Sequence, residues 1–408
     1  MIWKTVKIND VCLVTDYVAN GSFKSLSDNV EYLTNDGYAI LVRLTDFTKG
    51  WNGNYKYVDE HAYNFLAKTK LFAGDLLISN VGEPGKTFLV PELDMPMTLG
   101  PNSILVRPNN NVLNTKFFKY LIDSLYGKSL LDKITSGTTQ KKFNKTGFRN
   151  LEIPLPPLAE QERIVAKLDA AFAEIGEAIS TAESKESEVQ ALKTSILSKL
   201  LNNKSNGWES SYLEGVSSFI SRGISPKYIE SGGVRVLNQK CIRNHRINYD
   251  LARRHDIDLK KVSEERFIRL GDILINSTGQ GTLGRVAQVR KEPNELTTID
   301  SHITIVRPKS ELFYLDYFGY AAIAIEKIIQ DAGQGTSGQT ELAKSKVQND
   351  FQICFPRSFS DQEAEVKKLD IVFEEIEIAL KNLTKSKTNL YALKSAILSQ
   401  ELQSSEAA

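Results

Sequence analysis

The sequence predicts an α+β fold: two mixed α/β domains separated by two long helices that form an antiparallel coiled coil, arranged as an internal pseudo-twofold repeat. Three observations predict it. Segments of the first half recur, in order, in the second. The globular parts break into short apolar runs punctuated by Gly, Pro and Asn. Two stretches of about 45 residues carry apolar side chains at three- and four-residue steps. At 408 residues the chain exceeds one ordinary core, as a multi-domain protein would.

The repeat comes first. WKTVKINDV from Trp3 returns in outline as WESSYLEGV from Trp208. GDLLISNVG at Gly74 matches GDILINSTG at Gly271, and SILVRP at Ser103 matches ITIVRP at Ile303. SGTTQ at Ser136 matches GQGTSGQ at Gly333, and LEIPLP at Leu151 matches FQICFP at Phe351. The offset drifts only between 197 and 205 residues, as small loop insertions produce. The series divides the chain into a domain over 1–157, a long helix over 158–205, a second domain over 206–358 and a second long helix over 359–408.

In each domain, runs such as YAILVRL, GDLLIS and NSILVRP, or GVRVLN, GDILIN and SHITIVRP, have the length and turn-bounded character of strands. TKFFKYLIDSLYGKSLLDKI and LDYFGYAAIAIEKIIQ have the length of helices. From 158 to 203 there is no Pro and only Gly176. Ile164, Leu168, Phe172, Ile175, Ile179 and Ala182, then Val189, Leu192, Ile196 and Leu200, form an apolar stripe. Val366, Leu369, Phe373, Ile376, Leu380 and Leu383, then Leu390, Leu393 and Ile397, form the second. Both stripes are interrupted by a polar midpoint, at Glu186 and at Lys387. Neither helix buries its stripe alone, so the two are expected to pair.

The four segments carry net charges of +3, −2, +3 and −3, which return the +1 of the whole chain. Positive charge therefore lies in the domains and negative charge in the helices. TTQKKFNK in the first domain and NQKCIRNHRINYDLARRH in the second cluster cations with Asn and Gln, whose donors and acceptors suit base edges. The expected partner is double-stranded DNA, and no membrane is expected, since no apolar run approaches the ~18–20 residues of a span. MIWKTVKINDVC lacks an apolar signal core, and Cys12, Cys241 and Cys354 form no C-x-x-C pair, so a cytoplasmic protein without a metal site is expected.

GEPGKT at Gly82 resembles a phosphate-binding loop. Against it, the first glycine of that motif falls on Asn80, and Pro91, Pro96 and Pro101 bar the helix that must follow. The second copy reads GQGTLGRVAQV, a Gly turn with a basic residue and a return strand. A nucleotide-binding protein and a coiled-coil scaffold without DNA remain the alternatives. His61, His245, His255 and His302 show no metal spacing, and no nucleophile elbow or amino-methyltransferase tetrad occurs, so no catalytic residue is assigned.

LEIPLPPLAEQERIVAKLD at 151–169, closing a domain and opening a long helix, resembles the specificity (S) subunits of type I restriction-modification systems. The GDLLI…VRP and GDILI…IVRP cores resemble their target-recognition domains. FQICFPRSFSDQEAEVKKLD departs from the first copy at Cys354, Arg357 and Phe359 but keeps the Gln-Glu pair. The resemblance implies a non-catalytic subunit whose two domains each read half of a split DNA target. It implies two methyltransferase (M) subunits that use S-adenosylmethionine, and restriction (R) subunits that use ATP and Mg, with no cofactor in this chain.

Candidate DNA contacts fall in three loop zones per domain. In the first they are Arg43, Lys49 and Trp51; Ser79, Asn80 and Lys86; and Thr138, Gln140, Lys141 and Lys142. In the second they are Asn238, Lys240, Arg243 and Arg246; Asn276, Ser277, Gln280 and Arg285; and Gln334, Thr336 and Gln339. Lysines are expected on phosphates, and Arg, Asn and Gln on bases.

Overall fold

Strands covered by a core on both faces read as nearly continuous apolar runs, as Leu76-Leu77-Ile78, Ile104-Leu105-Val106 and Ile273-Leu274-Ile275 do. The computed structural model describes residues 3–51, 54–201, 206–333 and 341–403. It divides into two units, one from residues 1–182 with 385–408 and one from 183–384, so the division falls inside both long helices.

In the first unit an antiparallel sheet runs in the order Cys12–Asp16, Ser103–Pro108, Leu76–Ser79, Thr87–Leu89. Side chains alternate between its faces. Leu76, Ile78, Ile104 and Val106 join a core with Phe117, Phe118, Leu121 and Ile122 of the helix Thr115–Asp123. Leu77 and Leu105 join a second core with Ile40, Val42 and Leu99 from another sheet. That sheet pairs Ala39–Val42 in parallel with Met97–Leu99 and flanks them with Lys56–Val58 and Lys70–Leu71, so the unit is mixed α/β.

The second unit repeats the plan. Its antiparallel sheet is ordered Ser217–Arg222, Ile303–Pro308, Ile273–Asn276, Val286–Gln288. Ile273, Ile275 and Val306 face the core holding Tyr317 and Phe318, while Leu274, Ile303 and Ile305 face the one holding Leu237 and Ile299. Its second sheet places Val234–Leu237 parallel to Thr297–Ile299. The entry strand also repeats: Lys4–Lys7 pairs with Glu152–Leu155, and Trp208–Tyr212 with Gln352–Pro356.

The structure assigns a physical role to each repeated motif. The Asp of GDLLI and the Arg of LVRP are one ion pair: Arg107 donates from Nε and Nη2 to Asp75, both at 2.6 Å. Arg307 does the same to Asp272 at 2.8 Å in the second unit. Asp272 lies deeper, and burial pushes its carboxyl above the ordinary value while Arg307 and the Arg269 N–H pull against it. Gly74 and Gly271 take the left-handed backbone, φ 86° and 88°, which explains the glycine before each Asp.

The Gln of EQER is a latch. Buried Gln161 accepts from the Asn114 N–H at 2.8 Å and donates to the carbonyls of Val112 and Pro156. Gln362 accepts from Tyr314 N–H at 2.8 Å and donates to Leu312 and Pro356. Each latch fixes the first turn of a long helix, Leu158–Leu201 or Phe359–Gln403, to the domain before it.

Within each unit the two helices run antiparallel. In the first, Ile164 and Leu168 share a core with Leu398 and Leu402, Lys167 pairs with Glu401 at 2.6 Å, and the Lys394 ammonium lies 4.8 Å from the Phe172 ring centre. In the second, Val366 and Leu369 share a core with Leu197 and Leu200, and Lys193 lies 5.7 Å from the Phe373 ring centre. The stripes differ from expectation beyond their polar midpoints. Leu192 and Leu393 are exposed, at 52% and 48%, and Leu197 and Leu398 are buried. Ile196 and Ile397 of the expected stripes are half-buried against the cores and Leu200 is buried as expected, so the packed face widens to take in Leu197 and Leu398 rather than following the stripe alone.

Candidate nucleic-acid interface

GEPGKT is a hairpin tip between strands Leu76–Ser79 and Thr87–Leu89, with no helix after it. The Gly85 N–H donates to the Ser79 carbonyl at 2.8 Å and the Ser79 N–H to the Lys86 carbonyl at 3.0 Å, closing the turn through the main chain. Gly85 has φ 95°, and a Cβ there would lie 2.7 Å from Leu131, so the position is restricted to glycine. Lys86 pairs with Glu83 of the same turn. A phosphate cradle at a helix N-terminus is therefore not formed, and the nucleotide-binding alternative loses its site.

Three sequence zones of the first unit converge on this tip. Lys141–Lys142 pairs antiparallel with Val81–Gly82, and the Phe143 N–H donates to the Asn80 carbonyl at 3.1 Å. Phe47 packs against Phe88 with ring centres 4.5 Å apart and planes tilted by 45°, bringing up the loop that carries Lys49 and Trp51. Lys49, Thr138, Gln140, Lys141 and Lys142 are exposed there, and Lys86 is half-exposed.

The second unit closes its tip with the same bonds: Gly284 N–H to Asn276 carbonyl at 2.7 Å and Asn276 N–H to Arg285 carbonyl at 2.9 Å. The Leu342 N–H donates to the Ser277 carbonyl at 2.8 Å, and Thr278 bridges to Glu341. Ile242–Arg243 and Arg246–Ile247 form a hairpin whose two turn residues, Asn244 and His245, have φ 52° and 59°. Arg285 joins this hairpin to the tip by donating to the Ile242 and Gly281 carbonyls. Lys240, Arg243 and Gln280 are exposed.

Several candidate contacts instead build the loops. Ser79, Asn276 and Ser277 are fully buried. Ser79 Oγ donates to the Glu83 carbonyl at 2.6 Å, Asn276 Nδ2 to the carbonyls of Gln239 and Thr282, and Ser277 Oγ shares a bond with Thr304. These three cannot touch DNA in this arrangement, because small polar residues at a tight turn satisfy its own carbonyls first. Asn80 donates to the Phe143 carbonyl, and Asn238 caps the turn at Lys240. The Arg43 guanidinium is held by Asp46 and the Asn54 carbonyl, and Trp51 lies half-buried against Phe47. Arg246 is exposed but paired with Glu377 at 2.6 Å. Gln334, Thr336 and Gln339 lie outside the described residues.

One loop was missed from the sequence. The turns that precede strands Ser103–Pro108 and Ile303–Pro308 also reach the tips: the Asn102 carbonyl accepts from Asn80 N–H at 3.4 Å and the His302 carbonyl from Ser277 N–H at 2.8 Å. The signal was present in PNSILVRP and SHITIVRP, where both residues sit just ahead of a matched strand.

Burial pushes the Cys12 thiol up to about 12 and raises that of Cys241 as well, which disfavours the thiolate. Among the described residues no group of three or more His, Cys, Asp or Glu side chains could hold a metal, and no helix is long and apolar enough to cross a membrane.

The model of the type I restriction modification DNA specificity domain matches residues 2–182. That segment is similar to the domain, over a little under half of the chain. A putative type I restriction enzyme specificity subunit, MjaX, of Methanocaldococcus jannaschii is 28% identical over 167 residues, 40% of this chain and 37% of that protein. The EcoBI specificity subunit of Escherichia coli is 26% identical over 173 residues, 42% of this chain and 33% of that one. These matches span well under two thirds of the curated relatives' lengths. The fold of the whole chain is that of solved specificity subunits. A chain from a study of complex assembly and conformational transition of the type I R-M system superposes with a TM-score of 0.72 at 19% identity, covering 98% of this chain and 97% of that one. The HsdS subunit from Thermoanaerobacter tengcongensis superposes with a TM-score of 0.51 at 18% identity, covering 99% and 97%.

Proposed function

We propose that the chain is the DNA-recognition subunit of a type I restriction-modification complex, with each unit reading one half of a bipartite duplex target. The observation that carries this reading is the pair of loop clusters: identical main-chain closure on equivalent strands, with different exposed polar side chains on each. A shared frame gives two equivalent docking modes, and differing tips give two different half-sites. Exposed Lys141 and Lys142 supply phosphate contacts, while Arg243 and Gln280 supply groups that discriminate bases. The chain itself carries no catalysis. Two methyltransferase subunits supply S-adenosylmethionine chemistry, and restriction subunits supply ATP- and Mg-dependent chemistry, in the cytoplasm.

The test is methylation sequencing of DNA from cells carrying this chain with its methyltransferase partner. A split adenine-methylated motif is expected, and exchange of residues 1–150 for the matching domain of a relative should rewrite one half only. Simultaneous change of both halves would overturn independent reading. Strong ATP hydrolysis by the isolated chain, lost on Lys86→Ala, would overturn the non-catalytic assignment.

A further inference from the structure

Resting on that reading, we propose that His302 is a specificity-determining residue of the second unit, contacting a base of its half-site through Nε2.

Four observations on one turn converge. His302 is exposed, and its main chain is fixed at the root of the tip: its carbonyl accepts from Ser277 N–H at 2.8 Å, and its N–H donates to Asp300 Oδ1 at 2.9 Å. The ring is fixed as well, with Nδ1 sharing a 2.6 Å hydrogen bond with the Thr278 hydroxyl. Thr278 is itself part of the tip, bridging to Glu341 and lying two residues from exposed Gln280. Nε2 has no partner among the described residues. An oriented ring with one unsatisfied polar atom loses little freedom on binding, which separates it from the flexible lysines of the surface.

The Thr278 bond also sets what Nε2 offers. If the hydroxyl donates to Nδ1, Nε2 carries the proton and donates, which suits guanine O6 or N7. If Nδ1–H donates to the hydroxyl, Nε2 accepts, which suits the amino group of adenine or cytosine. The first unit has Asn102 at the equivalent turn, also exposed and also bonded through its carbonyl to the tip. The same place thus carries two different two-sided polar groups, as half-sites of different sequence require.

The experiment uses the full chain assembled with its methyltransferase subunits. Binding is measured to a duplex carrying the motif found by methylation sequencing and to duplexes with single changes in the half-site of the second unit. His302→Ala should lower the preference for the motif roughly three- to tenfold, the size of one net hydrogen bond. His302→Gln, whose amide reaches a similar distance, should keep part of it. Thr278→Val, which frees the ring, should fall between wild type and His302→Ala. Unfolding temperatures of the three complexes should match wild type. Unchanged preference in His302→Ala, or an equal loss on motif and altered duplexes, would overturn the inference, the latter indicating a phosphate contact. A wild-type complex without preference for its own motif would overturn the recognition reading itself, and this inference with it.

Discussion

The two loop clusters share a frame and differ in what stands on it. Ser79 and Lys86 close the first turn with the same two main-chain bonds that Asn276 and Arg285 use in the second. Above that closure the first unit presents Lys86, Lys141 and Lys142, whereas the second presents Gln280 and His302 beside an added hairpin with Arg243. Among the described residues the first cluster sets the adjacent pair Lys141–Lys142 beside Gln140, and the second sets the Arg243 guanidinium and the His302 ring beside Gln280. The repeat therefore keeps what holds the loops and varies what they carry.

The largest effect should separate the two ion pairs beneath the clusters. Arg307 is 13% exposed over a fully buried Asp272, and Arg107 is 35% exposed over Asp75. Arg307→Met should destabilise the second unit by about 3–5 kcal/mol, because a buried carboxylate loses its partner. Arg107→Met should cost the first unit less, about 1–3 kcal/mol. Urea unfolding followed by hydrogen exchange in each unit measures both, and equal losses would show that burial does not distinguish the pairs.

The latches should instead behave alike. Gln161→Ala and Gln362→Ala each leave one N–H and two carbonyls without their partner, so each should cost about 1–3 kcal/mol. Faster exchange at the Asn114 and Tyr314 amides is the readout, and a large inequality would break the equivalence of the two frames.

At the surface the units should part again. Gln280→Ala should relax one base position by about 1–3 kcal/mol while leaving random-sequence DNA unaffected. Lys141→Ala or Lys142→Ala should weaken binding to all sequences and reduce the salt slope by about one. Competition titrations at several salt concentrations distinguish these patterns, and a sequence-selective loss at Lys141 would erase the contrast.

The repeated architecture was legible because period and order survive divergence: the strands around GDLLI and GDILI and the two helical stripes needed only alternation and three- to four-residue spacing. The role of the motifs was not. Nothing local connects Asp75 with Arg107 or Gln161 with Val112, since those bonds exist only after the sheet and helix are assembled. The same blindness misplaced Ser79, Asn276 and Ser277, whose residue types suit DNA as well as they suit a turn. His302 has no metal spacing to single it out, and only the folded turn just ahead of Ile303–Pro308 shows it at the surface of the tip.

The main-chain closure of the tips has a consequence for heritable change. Bonds such as Gly85 N–H to Ser79 carbonyl do not depend on which side chains the tip carries. Substitutions at exposed positions such as Gln140, Lys141 or Gln280 should shift stability by no more than ~0.5 kcal/mol. Successive changes at the exposed tip positions can therefore each fold as well as the parent chain, while a change at buried Asp272 or Gln362 removes bonds that the frame itself needs.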